Sequence, residues 1–265
     1  MACLTDRQTL VGRAYANPGP LQARRAIYRW QQPTVDLPGR ALSWLRDAGG
    51  LVVDVGCGDG RYLRRMAADR PDLRVLGLDL SPGMRPPAVA DAQQLPLPDA
   101  SAGAVLAMHM LYHVPDIDRA AGEMARVLRP EGVVIAAANG HGHMREFGAL
   151  FADAVAAVRP GETVGTGPAF GRRFRLENGP AVLERHFASV RTDSWESRVA
   201  IPEPGPAIAY LDSTRASREG LLPPGVGWDA MLSAAEDLVT RLIERDGEFG
   251  VTARSGLLIC RRPRR

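Results

Sequence analysis

The sequence predicts an α/β fold: a doubly wound, mostly parallel seven-stranded sheet whose last strand runs antiparallel, preceded by a helical lead-in and followed by a helical cap. Three observations predict it. Short apolar runs of strand length alternate with amphipathic stretches from residue 51 to residue 138. A glycine-rich turn, Gly56-Cys57-Gly58-Asp59-Gly60, links the first run to a helix-like segment. Two more strand-like runs follow late in the chain, at 188–201 and 251–260.

Taken in order, residues 21–47 read as helical. Leu21, Ala26, Ile27 and Trp30 leave an apolar stripe between arginines, and Pro38 starts a second short helix through Leu45. Residues 51–55 form the first strand and 61–69 the first crossover helix. Strands follow at 73–79, 88–92 and 103–109, then a helix over 117–128. Arg129-Pro130-Glu131-Gly132 combines a helix stop with a turn before the fifth strand at 133–138. Continuous apolar runs of this kind suit strands buried on both faces. Beyond Asn139 the pattern predicts helices at 143–157, 178–187 and 228–244, with 202–246 forming the cap and the two late strands pairing antiparallel at one sheet edge. Only eight residues separate Asp79 from Ala88, fewer than the dozen or so that a parallel crossover needs, and Pro82, Pro86 and Pro87 oppose a helix. The second crossover helix is therefore expected to be missing, leaving an open wall or a face covered by another subunit, as in a homodimer. The organisation reads as 1–47 lead-in, packing over the ligand site, 48–140 ligand-binding core, and 141–265 remainder of the sheet with the cap.

Composition narrows the class. The chain has 265 residues, 45% hydrophobic and 24% charged, which excludes a disordered or collagenous polymer. No run approaches the roughly 20 apolar residues needed to span a bilayer. Asp6 and Arg7 interrupt the start before an apolar run develops, so a cytoplasmic protein without a secretory signal is expected. Cys3, Cys57 and Cys260 are too far apart in sequence for a disulfide framework or a zinc motif. A net charge of +3 is small for a nucleic-acid binder. All 33 basic residues are arginine, which reads as a compositional bias, and the closing Arg261-Arg262-Pro263-Arg264-Arg265 as a solvated tail.

The spacing of the glycine turn narrows the ligand. A dinucleotide fingerprint would place its third glycine at 61, where Arg61 stands, and a P-loop requires a lysine that the chain lacks. A side-chain-free backbone instead allows close approach of an uncharged or zwitterionic ligand. Asp79, about 20 residues beyond the turn, is placed to accept from both hydroxyls of a ribose. Asp91 is placed for an exocyclic adenine amine, and Asp54 for an ammonium group. Any one of these acids alone could be a helix cap or a turn residue. Three at successive strand ends after Gly-x-Gly-x-Gly suit a ligand that carries a sulfonium cation.

Four segments then stand in a familiar order: Val53-Asp54-Val55-Gly56-Cys57-Gly58-Asp59-Gly60, Leu78-Asp79-Leu80-Ser81-Pro82-Gly83-Met84, Ala90-Asp91-Ala92-Gln93-Gln94-Leu95-Pro96 and Val127-Leu128-Arg129-Pro130-Glu131-Gly132. Over about residues 45–140 the chain resembles class I S-adenosylmethionine-dependent methyltransferases, with their Rossmann-like fold. The resemblance implies that Gly56, Cys57 and Gly58 line the methionine portion of S-adenosylmethionine. It also implies that Asp79 and Leu80 meet the ribose, Met84 packs near the adenine, Asp91 and Ala92 meet its edge, and Met108 contacts the amino-acid end.

Met108-His109-Met110-Leu111-Tyr112-His113 follows the fourth strand, where the transferable methyl should lie. A helical turn there would put His109 and His113 on one face, and a neutral imidazole suits removal of a proton from the acceptor. Packing or hydrogen bonding is the alternative for each. His141 and His143, split by a glycine with no nearby carboxylate, make a poor metal pair; His143 is also a candidate to enter the active site. Tyr15, Tyr28 and Trp30 could close over the cofactor or simply pack. The later chain loosely resembles small-molecule methyltransferases of bacterial natural-product pathways, including aromatic C-methyltransferases of the aminocoumarin type. That group pairs an Arg and a His four apart where this chain has His109 and His113, so the Arg is absent. The expected activity is methylation of a small aromatic metabolite in secondary metabolism. Rivals are an RNA methyltransferase, suggested by Arg172-Arg173-Phe174-Arg175 and the closing arginine tail, and a non-catalytic S-adenosylmethionine-binding protein.

Overall fold

The structure is a computed structural model that describes residues 5–166 and 169–264; Cys3 and Arg265 lie outside the described residues. Eight strands are present: β1 Gln31–Gln32, β2 Leu51–Val55, β3 Arg74–Asp79, β4 Ala88–Val89, β5 Ala102–Met108, β6 Leu128–Asn139, β7 Phe187–Ile201 and β8 Phe249–Pro263. The chain divides into two units, a sheet unit of residues 36–141, 170–195 and 255–265, and a helical unit of residues 1–35, 142–169 and 196–254. Strands β7 and β8 contribute residues to both.

In the sheet unit the strand order is β7-β8-β6-β5-β2-β3-β4. Strands β2 to β6 pair in parallel, and β8 runs antiparallel to β6 with Ile135 opposite Ile259. Every residue of β5 is buried, as a central strand covered on both faces must be. The two-residue period sorts its side chains: Val105 and Ala107 enter one core, while Ala104, Leu106 and Met108 enter the other. Ala120, Ala121 and Met124 of the helix Ile117–Val127 close the first core. Tyr62 and Met66 of the helix Arg61–Asp69, with Leu42 of the helix Leu37–Ser43, close the second.

The sequence reading holds for the main elements and fails at particular places. The first strand and its helix have the expected limits, Leu51–Val55 and Arg61–Asp69. The expected third strand is shorter: β4 ends at Val89, and Asp91 lies beyond it in an isolated bridge with Gln94. Arg129-Pro130-Glu131-Gly132 is strand rather than turn, because Leu128 already pairs with Ala102 before an irregularity realigns β6 on β5. Within residues 19–43 the lead-in has two α-helices, Gly19–Ala26 and Leu37–Ser43, the second capped by Asp36, with the 3-10 turn Ile27–Trp30 and β1 between them. A two-residue strand has no alternation to read. The link from β3 to β4 contains only the 3-10 turn Pro82–Met84, so the crossover helix is missing as its length and prolines imply.

The helical unit packs Phe147, Leu150, Phe151 and Val155 of the helix Arg145–Val158 against Trp228, Met231, Ala235 and Val239 of the helix Trp228–Asp246. Ala207 and Leu211 of the helix Pro204–Asp212 join the same core. The Trp228 indole N–H donates to Asp212 at 2.7 Å, satisfying the one polar group that this ring buries. Among the described residues no helix is long and apolar enough to cross a membrane.

At the amino end of the parallel strands, glycines allow close backbone approach. A Cβ on Gly103 would run into the carbonyl oxygen of Gly49, and one on Gly132 would lie 2.8 Å from the carbonyl oxygen of Gly103. Gly103→Ala is expected to cost about 1–3 kcal/mol in urea unfolding, the scale of overpacking. Gly12→Ala, with nothing within 4 Å of the new methyl, is expected to leave stability unchanged or slightly higher.

Candidate functional site

The carboxyl end of the parallel strands is where the sheet unit gathers its polar groups, at the switch between β2 and β5, where successive connections leave in opposite directions. Gly56, Gly58 and Gly60 all have left-handed backbones, with φ of 70°, 55° and 77°. At Gly56 a Cβ would lie 2.8 Å from the side chain of Met110, so glycine is required twice over. The turn is tied to β3: the Gly56 and Cys57 N–H groups both donate to the Leu78 carbonyl, at 2.7 and 3.0 Å.

Asp79 completes that tie. One carboxylate oxygen accepts from the Gly58 N–H and the other from the Ser81 N–H, each at 2.8 Å. Backbone donors thus hold the carboxylate in place, and it keeps acceptor capacity for a ligand. Burial raises the Asp79 pKa against the lowering effect of these backbone bonds. Leu80 is half-buried beside it, and Met84 is buried in the turn that follows.

Asp54 differs in kind. It occupies the face of β2 shared with Val52, is 0% exposed, and neither carboxylate oxygen has a hydrogen-bond partner. Loss of hydration, reinforced by the nearby Asp79 charge, raises its pKa to about 8. Such a group is mostly protonated at neutral pH and accepts ionisation only when a cation or strong donor arrives. Cys57 next to the turn is held as a thiol, because burial and the charges of Asp54 and Asp79 push its pKa up.

Asp91 organises a loop. Its Oδ1 accepts from the Gln93 backbone N–H at 2.8 Å and from the Gln93 side chain at 3.0 Å, and Gln93 Oε1 accepts from the Asp116 N–H at 3.0 Å. Asp91 thus serves as a turn residue, with lone pairs still available. Ala92 and Met108 are buried in opposite cores, Ala92 with Val53 and Met108 with Leu106. Sequence reasoning missed the brace beneath this loop: Glu123 accepts from the Leu95 N–H at 2.8 Å, while Arg126 donates to the Leu97 and Leu95 carbonyls at 2.8 and 3.1 Å. Its one legible trace is the i,i+3 spacing of Glu123 and Arg126 on a helix.

His109 and His113 do not share a helical face. His109 is left-handed, with φ of 56°, its N–H donating to the Ala137 carbonyl, and the 3-10 turn begins only at Leu111. Its buried Nδ1 has no partner, and burial lowers the ring pKa to about 4. It is a neutral but weak base. His113 is half-buried, with its ring edge against Tyr112 at a centroid distance of 4.5 Å.

The other candidates are spread over both units. His141, in the sheet unit, faces the Arg175 guanidinium at 3.2 Å. Arg173 donates to the Val114 and Pro115 carbonyls at 2.7 and 2.6 Å, and Arg175 to the Gly171 carbonyl at 3.1 Å, so these arginines serve the fold. In the helical unit the Arg254 N–H donates to His143 Nδ1 at 3.1 Å, and His143 Nε2 lies 3.4 Å from the Tyr28 hydroxyl. Tyr15 ends the turn Leu10–Ala14, with Arg24 over its ring at 5.4 Å, and Trp30 carries Arg29 at 3.8 Å. No group of three or more metal-ligating side chains occurs among the described residues.

Ionisation of Asp54 is the testable core of this geometry. Its raised pKa means that the folded state binds a proton more tightly than the unfolded chain. The associated stability is complete below the unfolded pKa near 3.8 and is lost as pH rises through about 8. Asp54→Asn, which cannot ionise, is expected to remove this loss, so its melting temperature in the absence of ligand should exceed that of the wild type at pH 9 by more than at pH 6. Parallel melting curves at the two pH values check this.

Comparison with known proteins gives the following. Residues 53–136 match the methyltransferase-domain family. The malonyl-[acyl-carrier protein] O-methyltransferase of Serratia marcescens is 34% identical over 110 residues, 38% of this chain and 42% of that protein. The 27-O-demethylrifamycin SV methyltransferase of Amycolatopsis mediterranei is 37% identical over 101 residues, 32% of this chain and 37% of that protein. The chain thus spans less than half the length of these curated relatives. Among solved structures, a phosphoethanolamine N-methyltransferase of Haemonchus contortus, in complex with phosphomonomethylethanolamine and S-adenosylhomocysteine, aligns at a TM-score of 0.54. It shares 17% identity over 97% of this chain and 60% of its own, which is a likeness of fold.

Proposed function

We propose that this chain, whose residues 53–136 match the methyltransferase-domain family, is a class I methyltransferase that transfers a methyl group from S-adenosylmethionine to a small, aromatic acceptor in bacterial secondary metabolism. One observation carries the reading: Asp54, fully buried with both oxygens unpartnered, stands next to a turn that a side chain would obstruct. A dry, unsatisfied carboxylate suits a cationic ligand, and S-adenosylmethionine supplies an activated methyl on a sulfonium sulfur together with an ammonium group. In this reading the Gly56–Gly58 backbone admits the methionine portion and Asp54 answers its positive charge. Asp79 accepts the ribose hydroxyls with its remaining lone pairs beside Leu80, Asp91 and Ala92 meet the adenine edge, and Met84 and Met108 provide apolar walls.

His113 is the better base of the two histidines. A ring held near pKa 4, as His109 is, takes a proton poorly at neutral pH. The nucleophile is carbon or a heteroatom; the names of the Serratia and Amycolatopsis relatives, both O-methyltransfer, support oxygen. The RNA reading is weakened at Arg173 and Arg175, which donate to backbone carbonyls of the fold.

Calorimetry with S-adenosylmethionine, followed by incubation with phenols, indoles and amines, tests the reading. Binding with methyl transfer to at least one acceptor is expected; no binding would refute it, and binding without transfer would favour a non-catalytic role. Asp79→Ala is expected to weaken cofactor binding by about 1.5–3 kcal/mol, the loss for hydrogen bonds to a charged group. His113→Gln should lower turnover by about 10²–10⁴-fold with cofactor affinity unchanged, as for a lost general base, and His109→Gln by much less. Equal effects of the two in steady-state assays would contradict the assignment.

A further inference from the structure

The helical unit contains two arginines whose charges no carboxylate answers. Arg218 is only 7% exposed; one guanidinium nitrogen donates to the Thr166 carbonyl at 2.9 Å, the cation lies 5.3 Å from the Phe151 ring centre, and its Nε is buried with no partner. Arg24 repeats the pattern. One nitrogen donates to the Ser213 carbonyl at 2.9 Å, and a second is buried with no partner. Neither forms an ion pair among the described residues, although the same unit has carboxylates to spend: Glu219 pairs with the more exposed Arg13 and Arg215.

Their contacts bring both to the surroundings of Tyr210: Arg24 bonds the carbonyl of Ser213, three residues after Tyr210, and Arg218 lies over Phe151, one helical turn from the Phe147 ring on which Tyr210 stacks. The Tyr210 ring stacks on Phe147 at 4.0 Å. Burying one guanidinium without a counter-charge is costly, and two near one phenol repel each other. Backbone carbonyls orient these forks without neutralising them. The missing element is negative charge, and the planar donor pattern of arginine matches a carboxylate or a phosphate.

We propose that Arg24 and Arg218, with the Tyr210 hydroxyl, form a site within the helical unit that binds an anionic oxygen group, a carboxylate or a phosphate. This anion site does not rest on the methyltransferase reading.

The test is calorimetric titration of the full chain with benzoate, phenyl phosphate and malonate, with uncharged benzamide as control. At least one anion is expected to bind and benzamide not to, and the ranking of benzoate against phenyl phosphate separates carboxylate from phosphate. Arg218→Leu should weaken anion binding by ~10-fold or more, the scale of a lost charge-assisted contact, with S-adenosylmethionine affinity unchanged. Its melting temperature should be equal or higher, since an unpartnered buried charge is removed. Tyr210→Phe keeps the ring on Phe147 and should weaken the same anion if the hydroxyl takes part, which gives a second comparison where Arg218→Leu does not fold. Absence of binding by all three anions, or wild-type affinity in both variants, would overturn the proposal. Anion binding without S-adenosylmethionine binding would sink the methyltransferase reading alone.

Discussion

A carboxylate taken out of water with nothing to neutralise it is the constraint around which the sheet unit is arranged. Asp54 sits one residue before the end of β2, in a strand whose neighbours Val53 and Val55 are core residues. The parallel sheet forces it inside, and the glycine turn denies it a side-chain partner. Asp79 adds a charge nearby that further disfavours ionisation of Asp54. Stability is given up at this point and offset by the two cores that sandwich the strands, where each large buried side chain contributes on the order of 1.5–3 kcal/mol.

The surroundings make sense as ways of holding that point still. Hydrogen bonds from the turn to Leu78 and Asp79 fix the glycines against β3. Glu123 and Arg126 fix the following loop from beneath. The short passage from β3 to β4 needs no helix because Pro82–Met84 turns the chain and Met84 anchors it in the interior. The site therefore depends on backbone geometry more than on side-chain contacts, which suits a ligand that many different acceptors share.

Much of this was legible in advance because the periodicities are strong. Leu51–Val55 and Arg61–Asp69 announce themselves by an apolar run, a glycine turn and an amphipathic repeat. Asp79 could be placed at a strand end by distance from the turn alone. What sequence could not supply is pairing. Leu128 joins β6 because Ala102 is opposite it, a partner 26 positions away that no local pattern reveals. His109 looks like half of a helical pair until its left-handed backbone takes it off that face. Arg24 and Arg218 look like two more arginines in an arginine-rich chain; only burial without a carboxylate sets them apart from Arg13 or Arg215, which are paired at the surface.

The fold thus buries polar groups without full hydrogen bonding in each unit, the Asp54 carboxyl group in the sheet unit and the Arg24 and Arg218 guanidinium groups in the helical unit. In the proposed reaction the Asp54 carboxyl group is the more fundamental, since without a cationic donor there would be no methyl to transfer. Proton release on adding S-adenosylmethionine reads its state directly, by calorimetry in buffers of different ionisation enthalpy. If Asp54 gives up its proton to meet the sulfonium ligand, the wild type should release close to one more proton than Asp54→Asn at pH 6.5, and the difference should vanish well above pH 8. Identical proton release by the two proteins at every pH would contradict the account.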